Sequence, residues 1–429
     1  MTPYPEYKAT NLPWLPQIPA HWALVKIREL FTERNQKVSD KEYAPLSVSK
    51  GGVVPQISTV AKTDNGDNRK LVKVGDFVIN SRSDRKGSSG ISAYDGSVSL
   101  INLVLKPRND YNRGYLHYLL KSIPFIEEYY RNGRGIVADL WTTRYSEMKT
   151  ISIPTPTAAE QEQIVRYLDS MTAKINKLIR AKKKICDLIF EEILLLANEH
   201  IDNANLPRYR LKNVIKLVGD QIIREEETLY TPIGVLNRGR GIFHKQQLLG
   251  KDLGDSEFFN VSQGDMIFSG QFAWEGAVAI IQETERGCIA SHRYPLARAI
   301  NPELLKLEYL WAFFQTKYGD MLLNIHSHGA AGRNRPLNIM RLLSEAIPIP
   351  PLEEQKKIER LFLQLKEAKE LATKYSAQLQ EYKNSLIASV VTGQVDVRNI
   401  QVEEFDPADL ISETDDDPSE DESTAESEE

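Results

Sequence analysis

The chain repeats itself once, at a separation of about 190 residues, and this duplication limits the possible fold more than any other feature. HWALVKIRELF at His21 to Phe31 is echoed by RYRLKNVIKLV at Arg208 to Val218, with Leu24, Ile27 and Leu30 falling on Leu211, Val214 and Leu217 at an offset of 187. APLSV around Pro45 answers TPIGV around Pro232, and VKVGDFVINS around Gly75-Asp76 answers VSQGDMIFSG around Gly264-Asp265. Both of the latter read as a strand entered through a Gly-Asp turn. RGYLHYLL from Arg113 answers LEYLWAFF from Leu307, an amphipathic helix in each copy. Last, ISIPTPTAAEQEQIVRYLDSM from Ile151 matches IPIPPLEEQKKIERLFLQL from Ile347, with Pro154 on Pro348 and Glu160-Gln161 on Glu354-Gln355 at an offset of 194. Five matches in one order, with offsets drifting only from 187 to 194, describe two copies of one unit. Each copy holds mixed strand and helix followed by one long helix.

The long helices announce themselves by composition. From Thr157 to about His200, and from Leu352 to about Thr392, helix formers run without Pro or Gly. Pro at each entrance and Gly393 past the second exit supply start and stop signals. At 1.5 Å per residue each helix reaches on the order of 60 Å. Ile164, Leu168, Met171, Ile175 and Leu178, then Lys182 as an interruption, Ile185 and Ile189, alternate at three and four in the first. Ile358, Leu361, Leu365, Ala368, Ala372, Tyr375, Leu379, Tyr382 and Leu386 do so in the second. A spacing of 3.5 sustained over about four heptads predicts a coiled coil. Antiparallel pairing of the two helices would set the two bodies at opposite ends of a rod with pseudo-twofold symmetry. The alternative is that each helix packs back on its own body.

Charge separates the chain into two parts. Of 59 acidic residues, 14 lie from Glu403 to Glu429, where there is no basic residue; the rest of the chain holds 45 acidic against 54 basic, a net of +9. A basic body is compatible with nucleic acid, and the closing acidic run is too polar to bury itself and is expected to be disordered. No apolar run approaches the roughly 20 residues that span a bilayer, and Met1 to Trp22 lacks the features of a signal peptide. The expectation is a cytoplasmic protein. Only Cys186 and Cys288 are present, with no disulfide framework to build and no chemical role expected.

The opening YPEYKATNLPWLPQIPAHW, with Tyr4, Pro5, Tyr7, Trp14, Ile18-Pro19 and His21-Trp22, resembles the start of the specificity subunits of type I restriction-modification systems. The duplicated IPTPTAAEQEQIV and IPIPPLEEQKKIE resemble the segments leading into the helices of that family, and LIASVVTGQVDVR from Leu386 to Arg398 its closing signature. The resemblance covers residues 4 to about 398 and leaves the long acidic tail as a departure. It implies an α+β fold of two similar mixed α/β target-recognition domains separated by an antiparallel two-helix coiled coil. The expected boundaries are 1–153 and 201–347 for the domains, 154–200 and 348–398 for the helices, and 399–429 for the tail. It also implies double-stranded DNA as ligand and two kinds of partner. Modification subunits methylate adenine from S-adenosylmethionine; restriction subunits translocate and cleave with ATP and Mg. This chain is expected to bind none of these cofactors and to catalyse nothing.

The residues agree with that expectation. Gly250-Lys251 lacks the glycine pattern of a phosphate loop, and His326 and His328, two apart, share no helix face. Pro350-Pro351 belongs to a helix start, not to an adenine-methyltransferase tetrapeptide. Glu354-Gln355-Lys356 has a nuclease-like spacing, but it and Glu160-Gln161-Glu162 sit at helix entrances, where capping and the helix dipole explain the acids.

Phosphates need cations and close backbone approach, and base edges need forked donors, so loops dense in Arg, Lys, Gly and Ser are the candidate contacts. In the first copy these are Arg82, Arg85 and Lys86 in NSRSDRKGSSG, with Arg131, Arg134 and Arg144 in YYRNGRGIVADLWTTRY. In the second they are Arg238, Arg240 and Lys245; Gln271, beside Trp274; Arg293, in ASHRYP; and His328, Arg333 and Arg335, near His326. Trp14, Trp22 and Trp311 are expected as core or interface anchors and not as base-stacking platforms. A coiled-coil adaptor with two globular ends and no DNA role is the rival reading.

Overall fold

A computed structural model of the chain describes residues 2–56, 66–108, 112–135, 141–201, 203, 205–329 and 335–410. The chain forms two compact units: Met1–Ala181 with Thr373–Glu429, and Lys182–Ala372. The two units share the same sheets and the same order of short helices, while the Tyr7–Leu12 and Leu15–Pro19 hairpin belongs to the first alone and the Leu229–Tyr230 and Leu248–Leu249 pair to the second.

In the first unit an antiparallel sheet runs Phe31–Glu33, Asn102–Pro107, Phe77–Asn80, Ser89–Ile91; in the second the order is Ile215–Val218, Leu296–Ala299, Met266–Phe268, Val278–Ile280. Beside it lies a three-stranded sheet: Lys37–Val38, Arg69–Val72, Gly96–Val98, against Asp220–Gln221, Phe258–Asn260, Ile289–Ser291. The parallel bridge from Pro45 to Ser97 has its counterpart from Pro232 to Ile289. Helices Arg113–Leu120, Ile123–Arg131 and Tyr145–Met148 follow in one unit, and Leu307–Gln315, Lys317–Ile325 and Ile339–Leu342 in the other. A hydroxyl closes each step from first to second helix: Ser122 donates to the Leu119 carbonyl at 2.7 Å, Thr316 to that of Phe313 at 2.6 Å.

Both predicted Gly-Asp turns are present. Gly75 and Gly264 adopt φ of +89° and +85°, which a side chain would strain, and each hands the chain to a buried apolar strand. The buried carboxylate that follows is gripped by two guanidinium nitrogens. Arg34 holds Asp76 at 2.6 and 3.1 Å, and Arg298 holds Asp265 at 2.6 and 2.8 Å. Arg34 directly follows the Phe31–Glu33 strand, whereas Arg298 lies in the Leu296–Ala299 strand, the counterpart of Asn102–Pro107.

One register of the repeat differs from the sequence reading. Ile27 donates its N–H to Ile151, and Leu211 to Glu345, so Ile27 corresponds to Leu211, at an offset of 184 and not 187. Burial agrees: Leu24 is 37% exposed where Leu211 is 0%, and Leu30 is 1% exposed where Leu217 is 40%. Apolar residues recurring every third position make a slip of three nearly as good a match, and only the pairing decides. The remaining landmarks hold their predicted offsets.

The long helices span Ala158–Glu199 and Leu352–Val391, close to expectation. Within the first unit the start of one meets the end of the other: the Tyr115 hydroxyl lies 2.9 Å from the Pro154 carbonyl and 3.4 Å from that of Val391, and further along Asn176 meets Lys383 at 3.3 Å. Within the second, Phe190 and Phe362 both pack on Trp311. The pairing is antiparallel, and it forms continuous cores with the sheets and short helices. Ile164, Leu168, Ile175, Ile358 and Leu365 are buried, with Met171, Leu361 and Leu379 partly so. Leu178 and Tyr375, expected in the seam, are 45% and 44% exposed. The burial pattern takes two successive steps of four on each helix, through Met171, Ile175 and Ile179 and through Ala368, Ala372 and Ser376. That extra step is a stutter, which moves the seam by one residue; it leaves Ile185 exposed and buries Cys186.

Trp22 and Trp311 are core residues, and Trp14 packs partly buried against Phe125. Residues 399–410, read from the sequence as the opening of a disordered tail, instead lie along the first long helix. Gln163 donates to the carbonyls of Val397 and Ile400, Ser170 to that of Glu403, and Asn176 to those of Asp409 and Leu410, while Lys174 pairs with Glu403 at 2.8 Å. The rest of the expected tail, 411–429, lies outside the described residues. Among the described residues no helix is long and apolar enough to cross a membrane.

Candidate nucleic-acid interface

The two arginine-rich loops of the first unit are knit into one surface by backbone hydrogen bonds. Thr143 donates to Ser81 at 3.0 Å, Ser83 to Trp141 at 3.1 Å, and Arg134 and Thr142 exchange bonds at 2.9 and 3.0 Å. The buried Tyr130 supports them from below, its hydroxyl donating to the Asn80 carbonyl at 2.9 Å while its own carbonyl accepts from the Trp141 indole at 2.7 Å. Arg82 and Arg144 are thereby brought to the rim of one cleft of about 660 Å³. Its walls add Lys70, Lys149 and Glu33, and its apolar lining includes Leu100 and Ile101.

The cations are not equally available. Arg82, Arg85 and Arg144 are exposed and hold no ion pair among the described residues, and Arg134 is 85% exposed with Glu147 3.9 Å away. Lys86, in contrast, pairs with Glu127 at 2.6 Å. Arg131 is clamped by both oxygens of Glu128 at 2.7 and 2.9 Å, a bond that raises its pKa further, so it serves its own helix and contributes little free charge. Sequence density alone could not separate these from the free cations. The sequence reading also missed Lys70 and Lys149, which lie on a strand and at a helix end, outside any Gly-Ser loop.

The second unit assembles the equivalent loops. Leu337 donates to the Gly270 carbonyl at 2.8 Å, as Thr143 does to Ser81, and Gly270 donates to Arg293 at 2.7 Å. Arg335 stacks over the Trp274 ring at 4.8 Å, and the Trp274 indole donates to the Gln271 carbonyl at 3.1 Å. Arg238 sits at φ +51°, uncommon for a residue with a side chain, and is held there by its N–H to Glu275 at 2.8 Å. Arg240 leans back onto Asn237, and Lys245 lies 6.0 Å from the Phe243 ring centre. His328 and Arg293 are exposed; Arg333 falls outside the described residues. His326, by contrast, is tucked in, 2.8 Å from Glu345.

The acids at the helix entrances do structural work. Glu160 is buried and accepts from the Tyr4 hydroxyl at 2.6 Å, with His21 2.9 Å away, so its side chain turns to the N-terminal segment instead of capping the helix. Glu354 pairs with Lys357. The neighbouring glutamines are the true anchors: Gln161 donates to the Pro156 carbonyl at 2.9 Å, and Gln355 to that of Pro350 at 2.8 Å.

Two copies of one α+β body, each joined to a long helix and each presenting basic and polar loops on the same scaffold, define a duplicated α+β protein. The comparisons place it more narrowly. The family model of the type I restriction modification DNA specificity domain matches twice, over residues 19–185 and 207–381, and the chain belongs to that family. Its role is DNA recognition within a type I restriction-modification system, and catalysis is not its part. Among solved structures it is similar to a chain from a study of complex assembly and conformational transition of the type I R-M system, at TM-score 0.57 and 14% identity over 88% of this chain and 99% of that one. It also matches the HsdS subunit from Thermoanaerobacter tengcongensis, at TM-score 0.44 and 15% identity over 88% and 98% of the two chains. A third match is a type I S subunit from M. genitalium, at 0.40 and 15% over 91% and 99%. No curated protein matches the chain.

Proposed function

We propose that each unit reads one half of a bipartite DNA site and that the paired helices fix the unread gap, by roughly one turn of the duplex. The observation that carries this reading is the loop junction. The same backbone bonds, Thr143 to Ser81 and Leu337 to Gly270, hold different side chains in the two units: Arg82 and Arg144 in one, Gln271 and Asn338 in the other. A shared scaffold with unlike contact groups is what two different half-sites require. The rival adaptor reading has no support from the family.

In this reading the partners are modification subunits, which methylate adenine with S-adenosylmethionine, and restriction subunits, which use ATP and Mg; this chain binds none of those cofactors and acts in the cytoplasm. The test is to sequence methylated adenines in DNA from cells carrying the chain with its modification subunits. Two short specified segments flanking an unspecified gap are expected. A single continuous motif, or none, would count against it.

A further inference from the structure

The matched registers allow the cleft of the first unit to be compared, position by position, with the same face of the second. Ser81 donates its N–H to Ile101 as Gly270 does to Arg293, so Ile101 corresponds to Arg293. Leu71 opposite Ser97 answers Asn260 opposite Ile289, which sets Lys70 against Phe259. Arg144 and Asn338 each precede the first turn of a short helix, and Lys149 and Leu343 each close it. Arg82 falls on Gln271 and Glu33 on Leu217.

The chemistry of the two faces differs sharply. In the first unit Lys70 is buried, bonded to the Asn102 carbonyl at 2.9 Å and 3.5 Å from Glu33, so that pair is largely self-neutralised. Arg82, Arg144 and Lys149 remain as cations around an apolar lining. In the second unit the same positions hold Gln271, Asn338 and Leu343, and Arg293 is the one cation to replace what is lost at this set of positions. Asn338 is already committed to its own helix, accepting from Arg341 at 3.1 Å.

We propose that the two units hold DNA by different means. The cleft of the first grips the sugar-phosphate backbone through Arg82, Arg144 and Lys149. The corresponding face of the second draws little on phosphate charge and makes its contacts through Gln271 and Arg293. The inference rests on the reading that both units bind DNA. It assigns most of the counterion release from this face of the two units to one of them, since each phosphate neutralised contributes about −0.9 to the slope of log affinity against log salt.

The experiment uses the full chain purified with its modification subunits and a duplex of random sequence, with affinity measured across a salt series. Arg82→Ala, Arg144→Ala and Lys149→Ala combined are expected to flatten the slope by roughly 2 to 3. Gln271→Ala with Arg293→Ala is expected to change it by about 1 at most. Arg82→Lys with Arg144→Lys keeps the charge and is expected to keep the slope, which separates lost charge from a damaged fold. Equal flattening by both sets, or none from the cleft set, overturns the proposal. Salt-independent binding by the unsubstituted complex would overturn the phosphate assignment, and no measurable binding of the duplex would overturn the DNA reading beneath it as well.

Discussion

Among the described residues Gln355 makes three bonds from one side chain, to the carbonyls of Pro350 and Leu304 and from the Lys306 N–H, where Gln161 makes one to Pro156. Removing a partner from buried polar groups costs more than the bond contributes. Gln355→Ala is therefore expected to destabilise the second unit by about 2–3 kcal/mol and Gln161→Ala the first by about 1–2 kcal/mol. Denaturant unfolding measures both, and equal losses would contradict the argument. His117 gives a pH signature. Burial, then the nearby Lys121 charge, lowers its pKa from 6.5 to about 4, so the folded chain refuses a proton that the unfolded chain accepts. Stability should fall as pH drops from about 6.5 to about 4 and level off below, by on the order of 3 kcal/mol, and His117→Gln should remove that component. The Glu-Gln motif was legible in the sequence because it recurs. That the glutamine and not the glutamate anchors the strand was not, since both suit a helix entrance.

The long helices were legible almost to the residue, because some 40 positions of helix formers without Pro or Gly also repeat their apolar residues at three and four. Their seam was legible only as far as the stutter. A heptad template cannot show where a step of three becomes a step of four, and apolar Leu178 and Ile185 fit the wrong choice as well as the right one. Ile175→Ala should cost about 2–4 kcal/mol and Leu178→Ala under about 1 kcal/mol in unfolding experiments. The ruler reading makes its prediction here too. Two added turns near Arg180, matched in the second helix, should lengthen the gap between methylated half-sites and leave both halves unchanged. An unchanged gap would remove the helices from that role.

For the whole chain, composition suggested an acidic tail cut off from a basic body, yet Val397 is fully buried and the segment through Leu410 is hydrogen-bonded to the first helix. Ending the chain after Leu410 removes ten acidic residues, turns the net charge from −5 to +5, and should leave the melting temperature nearly unchanged. Ending it after Gln394 strips the helix of those bonds and should lower the melting temperature by several degrees. Equal effects would show that the bonded stretch adds nothing. The duplication was legible throughout; its register failed only where apolar residues recur in threes. The aspartate clamps carry a record of how the halves parted. Val218 stands where Arg34 does, and Lys106 where Arg298 does, so no single substitution converts one clamp into the other. Moving from one clamp to the other without baring the carboxylate takes a form with cations at both places. The first half already meets that condition in part, with Arg34 on the carboxylate and Lys106 at the other place, whereas the second half, with Val218, can take up the alternative grip only after gaining a cation.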